Sequence, residues 1–524
     1  MADKPVPLTR KEITLKIERT KNATKSLVWG IIDRCVGLLI PFICRSAVIH
    51  IFGIQYLGLN SLFTSVLSML NLTELGFGSA VVFFLYRAIA EEDENKICAL
   101  LNYIKRVYQC VGIVVLGAGL LIMPLLPFII KADVPADVNI YIIYLLTLAS
   151  TVLSYFLCAY KSAVFRSHQR VDILSKISTV VMIVDKVLQL IFIFVFRNYY
   201  LFISSSVIGA VLNNTLVYLV ARKNYPQYVA RGKLEQQEKK AIFDKIRGLF
   251  MYKIGNVVCL SADSIIISAF LGLVVVGQHG NYYYIITTLI AFLGVLFTSL
   301  RAGIGNSIIT ETVEKNFKDF KTLQFAQNWI VGWCTICLLC LFQDFIVIYA
   351  GEDNLLSLGY VICLCLYFWI WKIQDVVYVY KEAAGMWSQD RYRPLIGALI
   401  NLTLNLISVQ FIGLYGVILS TVAVFLFLDI PWSSKVLFKN YFGSDLGDYY
   451  KMLAKGLVQM LIALVPTYLL CSVITMKSMV LQLMVKAAIC VVLPNVLQIA
   501  MNIRNVEYKA LVGKIKTILI KKRA

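Results

Sequence analysis

Charge is scarce in this chain: Asp, Glu, Lys and Arg make up 15% of its 524 residues, whereas 59% are hydrophobic and the mean hydropathy is +0.76. A water-soluble core of this length cannot hide so much apolar surface, which argues against a soluble enzyme. Histidine is scarcer still. His50, His168 and His279 lie far apart, form no HExxH or other pair at ligand spacing, and none accompanies a nucleophile-elbow serine, so no metal site is expected. No GxxxxGK[ST] is present to hold a nucleotide that could power transport. The 13 Cys lie mostly inside apolar runs, which excludes a disulfide framework. Cys334, Cys337 and Cys340 have a CxxC look but fall in one apolar run, where core packing explains them. Gly117-x-Gly119 likewise reads as close packing. No cofactor is expected. The first 26 residues are polar and lack the apolar stretch and cleavage site of a signal peptide, which places the N-terminus in the cytoplasm.

What the chain does have is long apolar runs. A spanning helix needs roughly 20 mostly apolar residues, and fourteen windows qualify: 27–50, 59–86, 107–130, 139–160, 177–196, 200–221, 249–271, 281–300, 323–349, 357–380, 395–411, 415–434, 452–474 and 479–501. The connections are too short for a catalytic domain, so the function lies among the helices. Lys and Arg number 50 against 30 Asp and Glu, an excess that suits anionic lipid headgroups better than nucleic acid. With the N-terminus inside, 41 of those 50 fall in cytoplasmic segments, three in outer segments (Lys131, Arg197 and Lys477) and six within apolar windows. That asymmetry predicts fourteen spans with both termini cytoplasmic.

The longest polar connection, 222–248, divides the chain. The expected organisation is a cytoplasmic segment 1–26, an N-lobe of six spans at 27–221, a linker at 222–248, a C-lobe of six spans at 249–434, two further spans at 435–501 and a basic amphipathic tail at 502–524. A glycine echo supports two related lobes: Gly53-x4-Gly58 and Glu74-x-Gly76-x-Gly78 in the first, Gly272-x4-Gly277 and Arg301-x-Gly303-x-Gly305 in the second. Parallel repeats of helix bundles are a common transporter construction, although chance glycine placement gives the same pattern. In the tail, Tyr508, Leu511, Val512, Ile515, Ile518 and Leu519 form an apolar stripe among lysines, which fits a helix on the cytoplasmic leaflet.

Ionisable groups within a bilayer cost several kcal/mol unless they face water, a partner or a ligand, and are therefore the first functional candidates. Arg34 and Arg45 are eleven residues apart, which puts them on one face of the first helix with about 16 Å of rise between them. Each could instead snorkel to a headgroup layer. In the second window Asn60, Thr64, Ser68, Asn71, Glu74 and Gly78 recur every three or four residues, a polar stripe suited to a hydrated cavity or to helix packing. Glu74 is poorly explained by packing. Asp263 lies in the middle of the seventh window, with Lys253 toward its cytoplasmic end. Lys372 and Asp375 can pair at i and i+3, either as a structural tie holding the bundle or with a role in transport. Adjacent Asp185 and Lys186 point about 100° apart and are expected to need separate partners, while Lys486 is expected to reach another helix or an anionic lipid.

Residues 53–109, GIQYLGLNSLFTSVLSMLNLTELGFGSAVVFFLYRAIAEEDENKICALLNYIKRVYQ, resemble the first-hairpin region of bacterial polysaccharide flippases of the multidrug/oligosaccharidyl-lipid/polysaccharide (MOP) exporter superfamily. Residues 261–283, SADSIIISAFLGLVVVGQHGNYY, resemble the matching region of the second lobe. The resemblance implies an all-α integral membrane protein of the bacterial cytoplasmic membrane: two six-helix lobes related by a pseudo-two-fold repeat, plus two C-terminal helices. It further implies a flippase, not an enzyme, that carries a polyprenyl-diphosphate-linked oligosaccharide from the inner to the outer leaflet by alternating access, for capsule, exopolysaccharide or O-antigen export. Membrane lipids, and other polysaccharide-assembly proteins, are its expected partners. Under that reading Arg34, Arg45 and Lys253 would hold the diphosphate, Asn60 and Asn71 the sugar hydroxyls, and Glu74 or Asp263 the coupling cation of an ion gradient; these roles rest on burial and charge, since no family-wide signature falls on the positions.

Two other readings of the same superfamily are an ion-coupled multidrug exporter and a peptidoglycan-precursor exporter. A drug/cation antiporter predicts an acidic, aromatic-lined site, which two arginines on the first helix disfavour. A membrane glycan polymerase or glycosyltransferase would need acidic catalytic residues at the membrane surface. The one acidic run, Glu91, Glu92, Asp93 and Glu94, reads as a solvated helix end beside Arg87 and Lys96.

Overall fold

The computed structural model describes residues 10–71, 77–131, 134–386 and 389–521, among which there is helix and no strand. The chain divides into two compact units, Met1–Val257 and Val258–Ala524, with the division inside a helix. The first unit holds α1 (Arg10–Ile51), α2 (Ile54–Leu70), α3 (Phe77–Ala90), α4 (Glu94–Ile122), α5 (Leu126–Ile129), α6 (Ile140–Phe156), α7 (Ser162–Ser167), α8 (Val171–Phe194), α9 (Tyr199–Asn224) and the start of α10 (Gln236–Leu271). The polar connection 222–248 is therefore helical from Gln236 onward. The second unit continues with α11 (Leu273–Thr310), α12 (Val313–Ala350), α13 (Leu358–Lys372), α14 (Asp375–Ala383), α15 (Arg393–Ile412), α16 (Leu414–Val424), α17 (Ile430–Leu437), α18 (Leu446–Val473), α19 (Met479–Asn502) and α20 (Val506–Lys521). π-Helical turns at Phe425–Asp429 and Phe438–Phe442 flank α17.

Among the described residues ten helices are long and apolar enough to cross a membrane, or eleven if α6 and the segment Ala159–Ser167, bent by 52°, form one span. This is a multi-pass membrane protein. The other three apolar windows, 59–86, 249–271 and 281–300, fall on α2 with α3, on α10 and on α11; residues 72–76 between α2 and α3, and some side chains within α10 and α11, lie outside the description.

Short polar connections end one helix and start the next. Asp93, Asn139, Asn198, Thr312, Ser357 and Ser478 each accept a hydrogen bond from a backbone N–H in the first turn that follows; such caps contribute about 1 kcal/mol each. Two corners depend on glycine. Gly53 turns α1 into α2 at φ +111° and ψ 168°, and Gly272 turns α10 into α11 at φ +91° and ψ 173°. Side chains other than hydrogen rarely tolerate this conformation, at a cost of about 1–3 kcal/mol. The echo read in the sequence thus has a conformational counterpart: one glycine corner of the same shape opens the second helix of each hairpin.

Packing follows the apolar faces. In the first unit Ile177 and Val181 of α8 meet Val217 and Ala221 of α9 around Phe165, and α1 runs along α8, where Thr179 donates to Asp33 (3.1 Å). In the second, Ala262, Ile266 and Ile267 of α10 pack with Val276, Val409 and Val417. The tail helix α20 docks on α12: Lys514 pairs with Asp319 (2.6 Å) and Tyr508 stacks on Trp329 (5.9 Å). Part of its stripe therefore packs against protein.

Candidate functional site

Asp263 sits on α10, near the start of its short apolar stretch Ser261–Leu271, and is 5% exposed. Its Oδ1 accepts a hydrogen bond from Asn405 Nδ2 on α15 (2.8 Å). One turn away, Asn401 Oδ1 accepts from the same amide (3.3 Å), and Asn401 Nδ2 donates to Thr421 Oγ1 on α16 (2.9 Å). Asn401, Asn405 and Thr421 are all buried, and Asn405 Oδ1 has no hydrogen-bond partner. No basic residue pairs with Asp263 among the described residues.

A carboxylate buried without a counter-charge must be neutralised by a proton or a cation. The groups around it are hard oxygen donors, the set that suits an alkali or alkaline-earth ion. Asn405 Oδ1 is left as one unmet acceptor beside the carboxylate; half a turn of that amide would present an oxygen, instead of an N–H, to Asp263's side of the cluster. Of the two carboxylates singled out in the sequence, Asp263 thus acquires partners. Glu74 lies outside the described residues, as does the Lys253 side chain.

In the first unit, Arg34 is exposed and Arg45 half-buried on α1. Along α2, Leu62, Phe63, Val66 and Leu67 fill the core, whereas Asn60, Ser68 and Asn71 are half-buried and Thr64 is exposed. Thr64 donates to the Asn60 carbonyl (2.8 Å) and Ser68 to the Thr64 carbonyl (2.7 Å). Asn71 Oδ1 accepts from the Tyr155 hydroxyl (3.0 Å). Asn60, Thr64 and Ser68 therefore lie off the buried face of α2, whereas Asn71 is tied to the buried Tyr155 of α6.

The other intramembrane charges noted in the sequence are paired within the protein. Lys372 and Asp375 pair as their spacing predicted, across the break between α13 and α14, where Gln327 takes up the freed backbone groups by bonding Lys372 O and the Val376 amide. Lys486 reaches another helix, pairing with Asp344 of α12 (2.6 Å), to which Gln482 also donates (3.2 Å). The expectation for Asp185 and Lys186 is corrected: they pair with each other (3.0 Å), with Gln189 bonding both. Two flexible side chains leaving a helix 100° apart converge when Gln189, one turn on, lies between them.

One buried cluster had no signal in the sequence reading. Lys381 pairs with Asp390, Arg393 with Asp390 (2.9 Å) and with Asp429 (2.6 Å), and Lys381 also donates to Ser433 (3.2 Å). All four charged residues are 7% exposed or less and their charges cancel. The thiols of Cys340, Cys471 and Cys490 also meet, all within 4.8 Å of one another; cysteine's behaviour as a small hydrophobe accounts for that contact.

No family model matches the chain, and no curated protein is similar to it by sequence. Solved structures are similar in fold. The lipid II flippase MurJ in its inward closed conformation superposes with a TM-score of 0.66 at 15% identity, covering 93% of this chain and 99% of that one. An inward-facing MATE multidrug resistance transporter of the MOP superfamily gives 0.61 at 11% identity over 76% of this chain and 93% of that one. A Vibrio cholerae MATE transporter gives 0.55 at 15% identity over 81% and 99%. At these identities the likeness speaks to architecture alone: this chain shares the overall helical fold of those transporters.

Proposed function

We propose that this protein is a flippase that moves a polyprenyl-diphosphate-linked oligosaccharide from the inner to the outer leaflet, for the assembly of a surface polysaccharide. The observation that carries the reading is the presence of two arginines, Arg34 and Arg45, on one helix of a MOP-type transporter fold. A diphosphate headgroup cannot cross hydrocarbon without its hydration, and guanidinium groups replace that hydration with charge-assisted, bidentate hydrogen bonds. Asn60 and Asn71 would receive sugar hydroxyls while the isoprenoid stays in lipid. Asp263, with Asn405, Asn401 and Thr421, would take the coupling cation or proton, and transport follows from its different affinity in the inward and outward states.

A second reading is supported by one specific likeness: the neighbour that covers 93% of this chain is named a lipid II flippase, so a peptidoglycan-precursor exporter fits the same fold. The two are separated in cells. The R34Q/R45Q variant, at matched protein level, is expected to reduce surface glycan by about tenfold or more, since each charge-assisted bond contributes about 1.5–3 kcal/mol. Wild-type glycan in that variant would contradict the role of the arginines. Lysis with intact surface glycan on depletion of the protein would favour the peptidoglycan-precursor reading.

A further inference from the structure

Beside the buried Lys381–Asp390–Arg393–Asp429 cluster, a cavity of 530 Å³ opens at the end of the Leu414–Phe442 span. Lys435 and Lys439 line it and are exposed, with Trp432, Leu428, Phe427 and Gln389 completing the wall. Phe427 is 77% exposed. The cavity is flanked by the two π-helical turns, Phe425–Asp429 and Phe438–Phe442, and π turns within α-helices frequently mark functional positions.

Among the described residues, nothing in the protein compensates the charges of this wall. Neither lysine forms an ion pair among the described residues, and Asp390 and Asp429 of the neighbouring cluster are already paired with Lys381 and Arg393. The wall is also graded by depth. Phe427 lies eight residues before Lys435, about 12 Å along the helix axis, so the ammonium groups stand at the height of headgroups when the aromatic ring stands among acyl chains. The lysine and arginine excess of the sequence assigns this end of the span to the cytoplasmic leaflet.

We propose that this cavity binds a phospholipid with an anionic headgroup, drawn from the cytoplasmic leaflet. The phosphate lies between Lys435 and Lys439, Trp432 sits at the interface, and an acyl chain covers Phe427 and Leu428. The inference stands apart from the transported substrate, since it uses none of the residues assigned to transport.

The test uses the full-length protein in nanodiscs containing phosphatidylcholine or phosphatidylglycerol with brominated acyl chains, which quench tryptophan on contact. The contribution of Trp432 is isolated as the difference from Trp432→Phe. Quenching is expected to favour the anionic lipid on the order of 30-fold in relative affinity, about fivefold per lysine, and the preference is expected to vanish in K435Q/K439Q. Equal quenching by both lipids, or a preference that survives K435Q/K439Q, would overturn the proposal. Displacement of the phosphatidylglycerol by polyprenyl diphosphate at a small fraction of its concentration would also overturn it, by assigning the cavity to the transported substrate.

Discussion

Replacing Asp263 with Asn is expected to remove the stimulation of transport by an ion gradient while leaving the protein folded. The substitution keeps the shape of the side chain and its bond to Asn405 but removes the one charge in the Asp263–Asn405–Asn401–Thr421 cluster. A coupling free energy of the usual size makes the loss about 5- to 150-fold in gradient-driven rate. Asn405→Ala should weaken ion dependence less, because the carboxylate persists. A second readout does not involve transport. If the cluster binds a cation, the wild type gains about 2.7 kcal/mol of stability at an ion concentration one hundred times the Kd, seen as a rise in Tm, and D263N gains nothing. A D263N protein that still responds to the gradient, or whose Tm still rises with the ion, would show that Asp263 is a structural carboxyl.

The second large effect concerns the buried charge cluster. Asp390 accepts from both Lys381 and Arg393, so Asp390→Asn leaves a buried ammonium without its counter-ion and a guanidinium with only Asp429. Loss of one partner from a buried pair costs about 3–5 kcal/mol, whereas replacing both partners by apolar groups is often close to neutral. D390N is therefore expected to be among the most destabilising single changes in the second unit, and K381M/D390L is expected to recover most of the loss. Unfolding monitored in detergent with increasing denaturant measures both. D390N within about 1 kcal/mol of the wild type would contradict the reading of this cluster as a structural tie.

These cases show what the sequence could and could not convey. Spans were legible because apolar length is a local property; Gly53 and Gly272 stood out only as a spacing echo, and the backbone corners they make emerged with the structure. The Lys372–Asp375 pair was legible because both partners share one face at i and i+3. Asp185 and Lys186 were misread by the same helical geometry, which fixes Cβ directions but not where long side chains end. Lys381 and Arg393 read as loop cations among other cytoplasmic lysines; their burial depends on Asp429, 36 residues after Arg393, which returns only when α15 and α16 fold back. Asn401 and Asn405 are the missed members of the hydrogen-bonded cluster around Asp263. Two asparagines at i and i+4 in an otherwise apolar span were a signal of the same kind as the stripe on α2, and could have been read as one.

The transport reading is tested most directly by leaflet exposure of a labelled polyprenyl-diphosphate oligosaccharide in proteoliposomes containing the purified protein, with and without an imposed proton or sodium gradient. The account predicts protein-dependent movement between leaflets, faster under the gradient that loads Asp263 and slowed in R34Q/R45Q. No movement under either gradient, with folded protein and the native glycan supplied, would contradict it.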